Sequence, residues 1–278
     1  MSIQSGSSRS AGYFSRLSSI VSTSARQLVS SASQAHRAEA ARKVTRQTLL
    51  TFVSAVILIG VLMIWIDARE IALMPPRGTA SLWPFRILTD FGKDTYVLLL
   101  LIVLLVSVAL AAAAAHDSAR QRLFAIGVYL QFLLLALSIP LAVGEVLKWI
   151  AGRGRPFVGG QANAFNFVPF AGTEAHASLP SAHSITAFAL AFAVAAVWPR
   201  LRVVAVAYAL LIAFTRLVLL AHHPSDVVAG AAIGIIGAMW VRYWFATRRL
   251  GFAVDDGGII SSTANGPLKG VAAGAPAS

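Results

Sequence analysis

The feature that most constrains this chain of 278 residues is a series of six apolar segments separated by polar stretches. Hydrophobic residues make up 57% of the sequence and charged residues only 12%, against about a quarter in an ordinary soluble domain. A helix needs about 20 apolar residues to cross a bilayer. The sequence therefore predicts an all-α integral membrane domain. The segments are 49–66, 96–115, 123–147, 184–198, 203–221 and 227–241.

Three regions follow from this pattern. Residues 1–48 form a basic tail rich in Ser, Ala and Arg, predicted to be cytoplasmic and disordered or partly amphipathic, with an organelle transit peptide as the alternative. Residues 49–245 hold the six spans, and residues 246–278 are predicted to be a flexible cytoplasmic tail. Part of the net charge of +12 lies in residues 1–48, directly before the first predicted span. That placement indicates an orientation signal or contact with anionic lipid, and argues against a nucleic-acid partner.

The distribution of Lys and Arg predicts the orientation. Four basic clusters fall on one side if all six segments cross, and the positive-inside rule makes that side cytoplasmic. These clusters are Arg42, Lys43 and Arg46; Arg120 and Arg122; Arg200 and Arg202; and Arg248 and Arg249. Both termini are then cytoplasmic, and the bacterial inner membrane is the favoured location. Loops 67–95 and 148–183 and the turn near residue 222 face the periplasm or the exterior.

Three polar motifs lie at the edges of apolar segments on that non-cytoplasmic face. They are Lys148 with Arg155-Pro156, then Pro180-Ser181-Ala182-His183, then Thr215-Arg216 with His222 and Asp226. Charged groups at such edges are costly unless they bind a shared ligand. Fixed cations suit the oxygens of a phosphoryl group, one histidine can attack phosphorus and another can protonate the leaving oxygen. The motifs therefore predict phosphate-ester chemistry.

Together, these motifs resemble the three signature motifs of the type 2 phosphatidic acid phosphatase (PAP2) superfamily. That family includes membrane lipid phosphatases, bacterial acid phosphatases and vanadium haloperoxidases. The resemblance covers about residues 50–245 and implies a six-transmembrane-helix bundle of the PAP2, acid-phosphatase-like type. Ala182 and Thr215 stand where Gly and Ser are commoner in the family, and neither change removes an ionisable group. Both are expected to lie beside the site.

The resemblance also implies a role for each motif residue. His222 is the nucleophile that forms a phosphohistidine, and Asp226 accepts a hydrogen bond from its other ring nitrogen. The neighbouring His223 lacks the required spacing. His183 is the general acid and then the base. The groups that bind phosphate oxygens are Lys148, Arg155, Ser181 and Arg216. No metal or cofactor is expected, because side chains supply the cations.

The function implied is hydrolysis of a phosphate or diphosphate headgroup on a lipid, with the bilayer and that lipid as partners. Undecaprenyl diphosphate, phosphatidic acid, phosphatidylglycerophosphate and lipid A phosphates all fit such a site. The alternatives are a lipid phosphotransferase that uses the same phosphohistidine and a catalytically silent six-span transporter or scaffold. Glu145, three residues before Lys148, is interpreted as its partner on one helix face, with a part in substrate selection as the alternative. The oligomeric state stays open.

Overall fold

The computed structural model describes residues 12–31, 37–160 and 162–265. That part of the chain forms a helical bundle followed by one short β-hairpin. The helices are α1 (Tyr13–Val29), α2 (Arg37–Trp65), α3 (Asp67–Leu73), α4 (Trp83–Asp90), α5 (Asp94–Ala114), α6 (Asp117–Ala151), α7 (Ala182–Val197), α8 (Arg202–Val218) and α9 (Pro224–Thr247). The strands are β1 (Phe252–Val254) and β2 (Ile260–Ser262), which pair antiparallel.

Helices occupy all six places where the apolar segments were found, which confirms the all-α prediction. Among the described residues, five helical regions are long and apolar enough to cross a membrane, namely those containing α2, α5, α6, α8 and α9. The remaining segment, α7, has only 16 residues. Its residues Ile185 and Ala189 are fully buried in the bundle, so protein rather than lipid surrounds much of this helix. The count of six crossings therefore stays a prediction.

The close approach of two helices, α7 and α9, depends on glycine. A Cβ added at Gly230 would lie 2.5 Å from the carbonyl oxygen of Ser181, and one at Gly234 would lie 2.5 Å from that of Ile185. Both distances are far inside van der Waals contact, so only glycine permits this spacing. Small residues allow membrane helices to approach closely. Helices α7 and α9 therefore pack closely in the interior of the bundle.

Proline and glycine also meet where α6 crosses α9. Pro140 lies inside α6, where its ring removes one helical hydrogen bond. A Cβ on Gly237 of α9 would approach the Pro140 ring to 2.6 Å. The absence of a side chain at Gly237 thus accommodates the ring in the interior of the bundle.

The C-terminal segment differs from the flexible tail that was expected for residues 246–278. Residues 252–262 form the hairpin of β1 and β2, and Phe252 is only 1% exposed. Its ring packs against Phe132 with a centroid distance of 4.8 Å, and Phe132 also contacts Phe245 at 5.4 Å. Burial of this aromatic side chain in the bundle holds the hairpin in place. Residues 266–278 lie outside the described residues.

The basic N-terminal region contains ordered helix as well. Helix α1 lies beside the bundle, where the Tyr13 hydroxyl donates to the carbonyl of Leu110 at 3.3 Å and Trp244 Nε1 donates to that of Leu28 at 3.2 Å. Residues 37–48 continue directly into the first spanning helix, α2. Residues 13–29 and 37–48 are therefore helical, and the cytoplasmic location of this region stays a prediction. Residues 1–11 and 32–36 lie outside the described residues.

Candidate active site

The three motifs meet at one end of the bundle, because each lies at the matching end of an antiparallel helix. Lys148 is in the last turn of α6, Arg216 is in the last turn of α8, and Asp226 is in the first turn of α9. Ser181 is the N-cap of α7, and its backbone N–H donates to the carbonyl of Asp226 at 3.1 Å. That bond joins the second motif directly to the third.

A tight loop after α6 places the rest of the first motif. Gly152 ends the helix in the left-handed conformation (φ 54°), and a Cβ there would collide with the carbonyl of Val168. The backbone N–H of Val168 donates to Gly152 O at 2.8 Å. Further along, the Ser178 N–H donates to Arg153 O at 3.0 Å. The described residues of loop 152–178 are therefore folded back onto the motif rather than extended from the bundle.

His222 follows α8 and is 4% exposed. Its Nδ1 lies 2.8 Å from the carbonyl oxygen of Ser178 and 4.0 Å from Asp226 Oδ2. The resemblance implied that Asp226 accepts a hydrogen bond from this ring, and the structure corrects that partner to the Ser178 carbonyl. A carbonyl only accepts, so Nδ1 carries the proton, and the neutral ring has its lone pair at Nε2. This tautomer is the one that a nucleophilic imidazole needs.

The neighbouring His223 takes the contact with Asp226 instead. It is fully buried, and its Nδ1 lies 3.2 Å from Asp226 Oδ2, to which its backbone N–H also donates at 2.9 Å. Asp226 in turn accepts from the Ser178 hydroxyl at 2.6 Å. Asp226 is thus connected to His222 through Ser178, whose hydroxyl binds the carboxylate and whose carbonyl binds the ring.

A buried arginine that sequence reasoning missed anchors Asp226 from behind. Arg153 is fully buried and donates to Asp226 Oδ1 at 2.5 Å and to Asp67 Oδ2 at 2.8 Å. Asp67, also fully buried, further accepts from the backbone N–H and hydroxyl of Ser225. Arg153 also donates to the carbonyl of Ala164. One guanidinium therefore joins the loop after α6, the start of α3 and the start of α9.

The three predicted phosphate-binding cations have different partners. Lys148 Nζ pairs with Glu145 Oε1 at 2.5 Å, which confirms the expected pairing on one face of α6. Arg155 pairs with the exposed carboxylate of Glu174 at 3.0 Å. Arg216, 8% exposed, donates to the hydroxyl of Thr89 at 2.6 Å. The Nε atoms of Arg155 and Arg216 are buried with no hydrogen-bond partner among the described residues.

The second motif and Thr215 are placed by their helix ends. The side chain of Ser181, fully buried, accepts from the backbone N–H of Ser184 at 3.4 Å, so it caps α7. Ala182 and His183, both half-buried, form the first positions of that helix. Thr215 Oγ1 lies 2.6 Å from the carbonyl of Ile212 and 3.0 Å from Thr89 Oγ1. Its hydroxyl thus helps to hold the residue that Arg216 contacts.

The electrostatic setting of His222 follows from burial and from these cations. Burial lowers the pKa of His222 well below its ordinary value of 6.5, and the charge of Arg216 lowers it further. Asp226 acts in the opposite direction. The ring is therefore neutral around neutral pH, so its lone pair is available for attack on an electrophile.

Two of the cations open into a cavity of about 330 Å³. It is lined by Arg77, Gly78, Leu82, Arg86, Arg155, Arg216, Leu219 and Ala221. Ala221 is the residue directly before His222, so the cavity adjoins the turn that carries the ring. Within the described ranges, the structure contains no group of three or more His, Asp or Glu side chains placed to hold a metal ion.

Comparison with known proteins gives a family for this region. Residues 129–250 match the family model of the PAP2 superfamily. The chain is 37% identical over 133 residues to a lipid A 1-phosphatase of Rhizobium johnstonii, covering 48% of this chain and 53% of that protein. It is 43% identical over 109 residues to a lipid A 1-phosphatase of Rhizobium etli, covering 39% of this chain and 46% of that protein.

The chain thus spans about half the length of the curated relatives that it matches. No solved structure matches it significantly. The family match contains all three motifs, from Lys148 to Asp226, at the end of a helical bundle where the structure brings them together. Residues 129–250 therefore match the PAP2 superfamily, and this match contains the residues of all three motifs.

Proposed function

We propose that this protein is a membrane phosphatase that hydrolyses the phosphate ester of a lipid headgroup. The observation that carries the proposal is the position of His222. Its ring is held by the Ser178 carbonyl with Nε2 free of the proton, next to the cavity that contains Arg155 and Arg216. A nucleophile beside fixed cations, at the end of an apolar bundle, suits a phosphate whose hydrophobic chain stays in the bilayer.

In the first step, His222 Nε2 attacks phosphorus, and the bond between phosphorus and the lipid oxygen breaks. Side chains that bind the equatorial oxygens stabilise this transition state by neutralising its charge. They are Lys148, Arg155, Ser181 and Arg216. His183, protonated once the anionic phosphate lies among the cations, gives its proton to the leaving oxygen, so the lipid departs as an alcohol.

In the second step, water attacks the phosphohistidine. His183, now neutral, takes a proton from that water while the bond between Nε2 and phosphorus breaks. Inorganic phosphate leaves, and both rings return to their starting protonation states. No metal ion takes part, since the positive charges come from side chains. A phosphotransferase would differ only in the acceptor, an alcohol in place of water.

The names of the relatives point to the first substrate to test. Both are lipid A 1-phosphatases, and lipid A phosphate was among the candidates that the sequence left open. We therefore place lipid A 1-phosphate ahead of phosphatidic acid, phosphatidylglycerophosphate and undecaprenyl diphosphate. The Lys and Arg distribution supports a periplasmic or outer location of the active end, where the headgroup of an outer-leaflet lipid is accessible.

The test is phosphate release from these four lipids by the purified protein in detergent micelles, with and without excess chelator. His222→Asn is the informative variant, because its amide can still donate to the Ser178 carbonyl while the nucleophilic nitrogen is lost. His116→Ala, an exposed histidine at the other end of α6, is the matched control. We expect release of phosphate by the wild type and the control, and none by His222→Asn.

Three results would overturn the proposal. They are the absence of phosphate release from every lipid, full activity in His222→Asn, and loss of activity in chelator that magnesium restores. Appearance of a phosphorylated alcohol in place of inorganic phosphate would instead identify a phosphotransferase.

A further inference from the structure

The cavity beside Arg155 and Arg216 contains two further arginines that the catalytic scheme does not use. Arg77 lies in the turn after α3, and Arg86 lies on α4. Four of the eight lining residues are therefore arginines, two from the PAP2 motifs and two from the segment between the first two spans. That segment lies outside residues 129–250, which match the family model.

Arg77 and Arg86 are not neutralised by the protein around them. Among the described residues, no carboxylate lies within ion-pair distance of either guanidinium. The Arg77 guanidinium stands 4.0 Å from the centre of the Phe157 ring, which holds it without cancelling its charge. Burial lowers the pKa of Arg77, and the charge of Arg155 lowers it further.

The carboxylates nearby leave this positive charge largely uncompensated. Glu174 is exposed and already pairs with Arg155. Asp90 follows Arg86 by one helical turn on α4 but is exposed and forms no ion pair with it. Arg77 and Arg86 are exposed over part of their surface, so solvent screens their repulsion from the two motif arginines. An anion bound among the four like charges removes what remains of that cost. The arrangement therefore favours a ligand with more negative charge than the motif cations alone require.

We infer that Arg77 and Arg86 form a second phosphate subsite next to the catalytic one. The substrate class is then a lipid headgroup that carries two phosphate groups, of which one reacts at His222 and the other binds these two arginines. This inference rests on the proposed function for the reacting phosphate. Two substrate chemistries supply such a pair: a diphosphate, with the groups joined directly, and a headgroup with separate phosphates.

The two chemistries can be separated by soluble probes that the enzyme need not hydrolyse. Methylphosphonate carries one phosphonate, and methylenebisphosphonate carries two joined through one carbon. Glucose 1-phosphate and glucose 1,6-bisphosphate form the corresponding pair with separated groups. Dissociation constants are measured by isothermal titration calorimetry on the full-length protein in detergent, which requires no turnover.

We expect at least one bisphosphorylated probe to bind the wild type about tenfold or more tightly than its single-phosphate partner, a difference of about 1.4 kcal/mol. In Arg77→Gln/Arg86→Gln, that ratio should fall to within about twofold, while the single-phosphate probes keep their affinity. Arg69→Gln/Arg200→Gln removes the same charge outside the cavity and should retain the ratio. The probe pair that shows the effect identifies which spacing the subsite takes.

The inference is overturned if neither bisphosphorylated probe is preferred, or if the preference survives in Arg77→Gln/Arg86→Gln. It is also overturned if the control double variant loses the preference equally, since the effect would then come from net charge. Failure of the proposed function is a separate result, because it appears as absence of lipid hydrolysis whatever the probes do.

Discussion

Replacement of Arg153 by glutamine tests whether the buried network behind His222 positions the ring. The guanidinium lies between two fully buried carboxylates, those of Asp67 and Asp226. Without it, both carboxylates are left without a counter-charge, and removal of one partner from a buried ion pair costs about 3–5 kcal/mol. For a domain of this size, that loss lowers Tm by roughly 6–20 °C at about 2–4 °C per kcal/mol.

The same substitution should reduce turnover although Arg153 does not line the cavity. Asp226 would lose its anchor, and Ser178, which binds Asp226 with its hydroxyl and His222 with its carbonyl, would shift with it. A displacement of about 1 Å can lower a rate by about 10²-fold, so we expect kcat to fall by that order with a smaller change in KM. Thermal unfolding followed by circular dichroism and phosphate release at saturating lipid measure the two effects.

A double variant separates a charge effect from a general packing defect. Asp67→Asn combined with Arg153→Gln leaves one buried carboxylate rather than two, so it should be more stable than the sum of the single losses predicts, by about 1 kcal/mol or more. Arg42→Gln is the control, because its ion pair with Glu39 is solvent-exposed and is worth at most about 1 kcal/mol. An unchanged Tm and an unchanged kcat in Arg153→Gln would refute the positioning role.

Three further predictions concern pH, inhibition and topology. Burial, with the charges of Asp67 and Asp226, raises the pKa of Glu70 from 4.5 to about 8. Between these two pH values the folded state binds one proton more than the unfolded state, so the stability of the protein falls as pH rises through that range. Glu70→Gln should therefore flatten the dependence of Tm on pH. Vanadate should inhibit competitively in excess chelator, and inhibition independent of lipid concentration would contradict this. The chain contains no cysteine, so single cysteines can be introduced without background labelling. A membrane-impermeant thiol reagent, applied to cells with a permeabilised outer membrane, should label Ala162→Cys and spare Ser118→Cys. The reverse result would invert the proposed topology.

The bundle and the motif set were predictable because both depend on local sequence. Apolar length alone located the helices, and the three-residue spacing of Glu145 and Lys148 predicted an ion pair that the structure confirms. The motifs lie at helix ends. Because consecutive spans run in opposite directions, these ends come together on one side of the bundle. The number of crossings was less certain, because α7 is short and its buried residues need no lipid-facing length.

The buried network was not predictable, because its bonds join residues far apart in the chain. Arg153 lies among the unspecified positions of the first motif, and Asp67 is 86 residues away from it. One signal was present: an aspartate directly after an apolar segment, which is costly at a membrane edge unless it is paired. That aspartate was instead taken as the first residue of loop 67–95. The Ser178 carbonyl that binds His222 had no signal, since spacing between side chains does not report backbone acceptors.

The network gives His222 two opposite electrostatic sides, and the proposed reaction needs both. Arg153, Asp67 and Asp226 together carry one net negative charge, and Asp226 lies 4.0 Å from the ring. The ring becomes more positive when Nε2 binds phosphorus, so this buried charge stabilises the phosphohistidine. The cavity that begins beside Ala221 is cationic and suits the phosphate oxygens. A neutral histidine between an anionic interior and a cationic cavity is therefore favoured to accept a phosphoryl group along that axis.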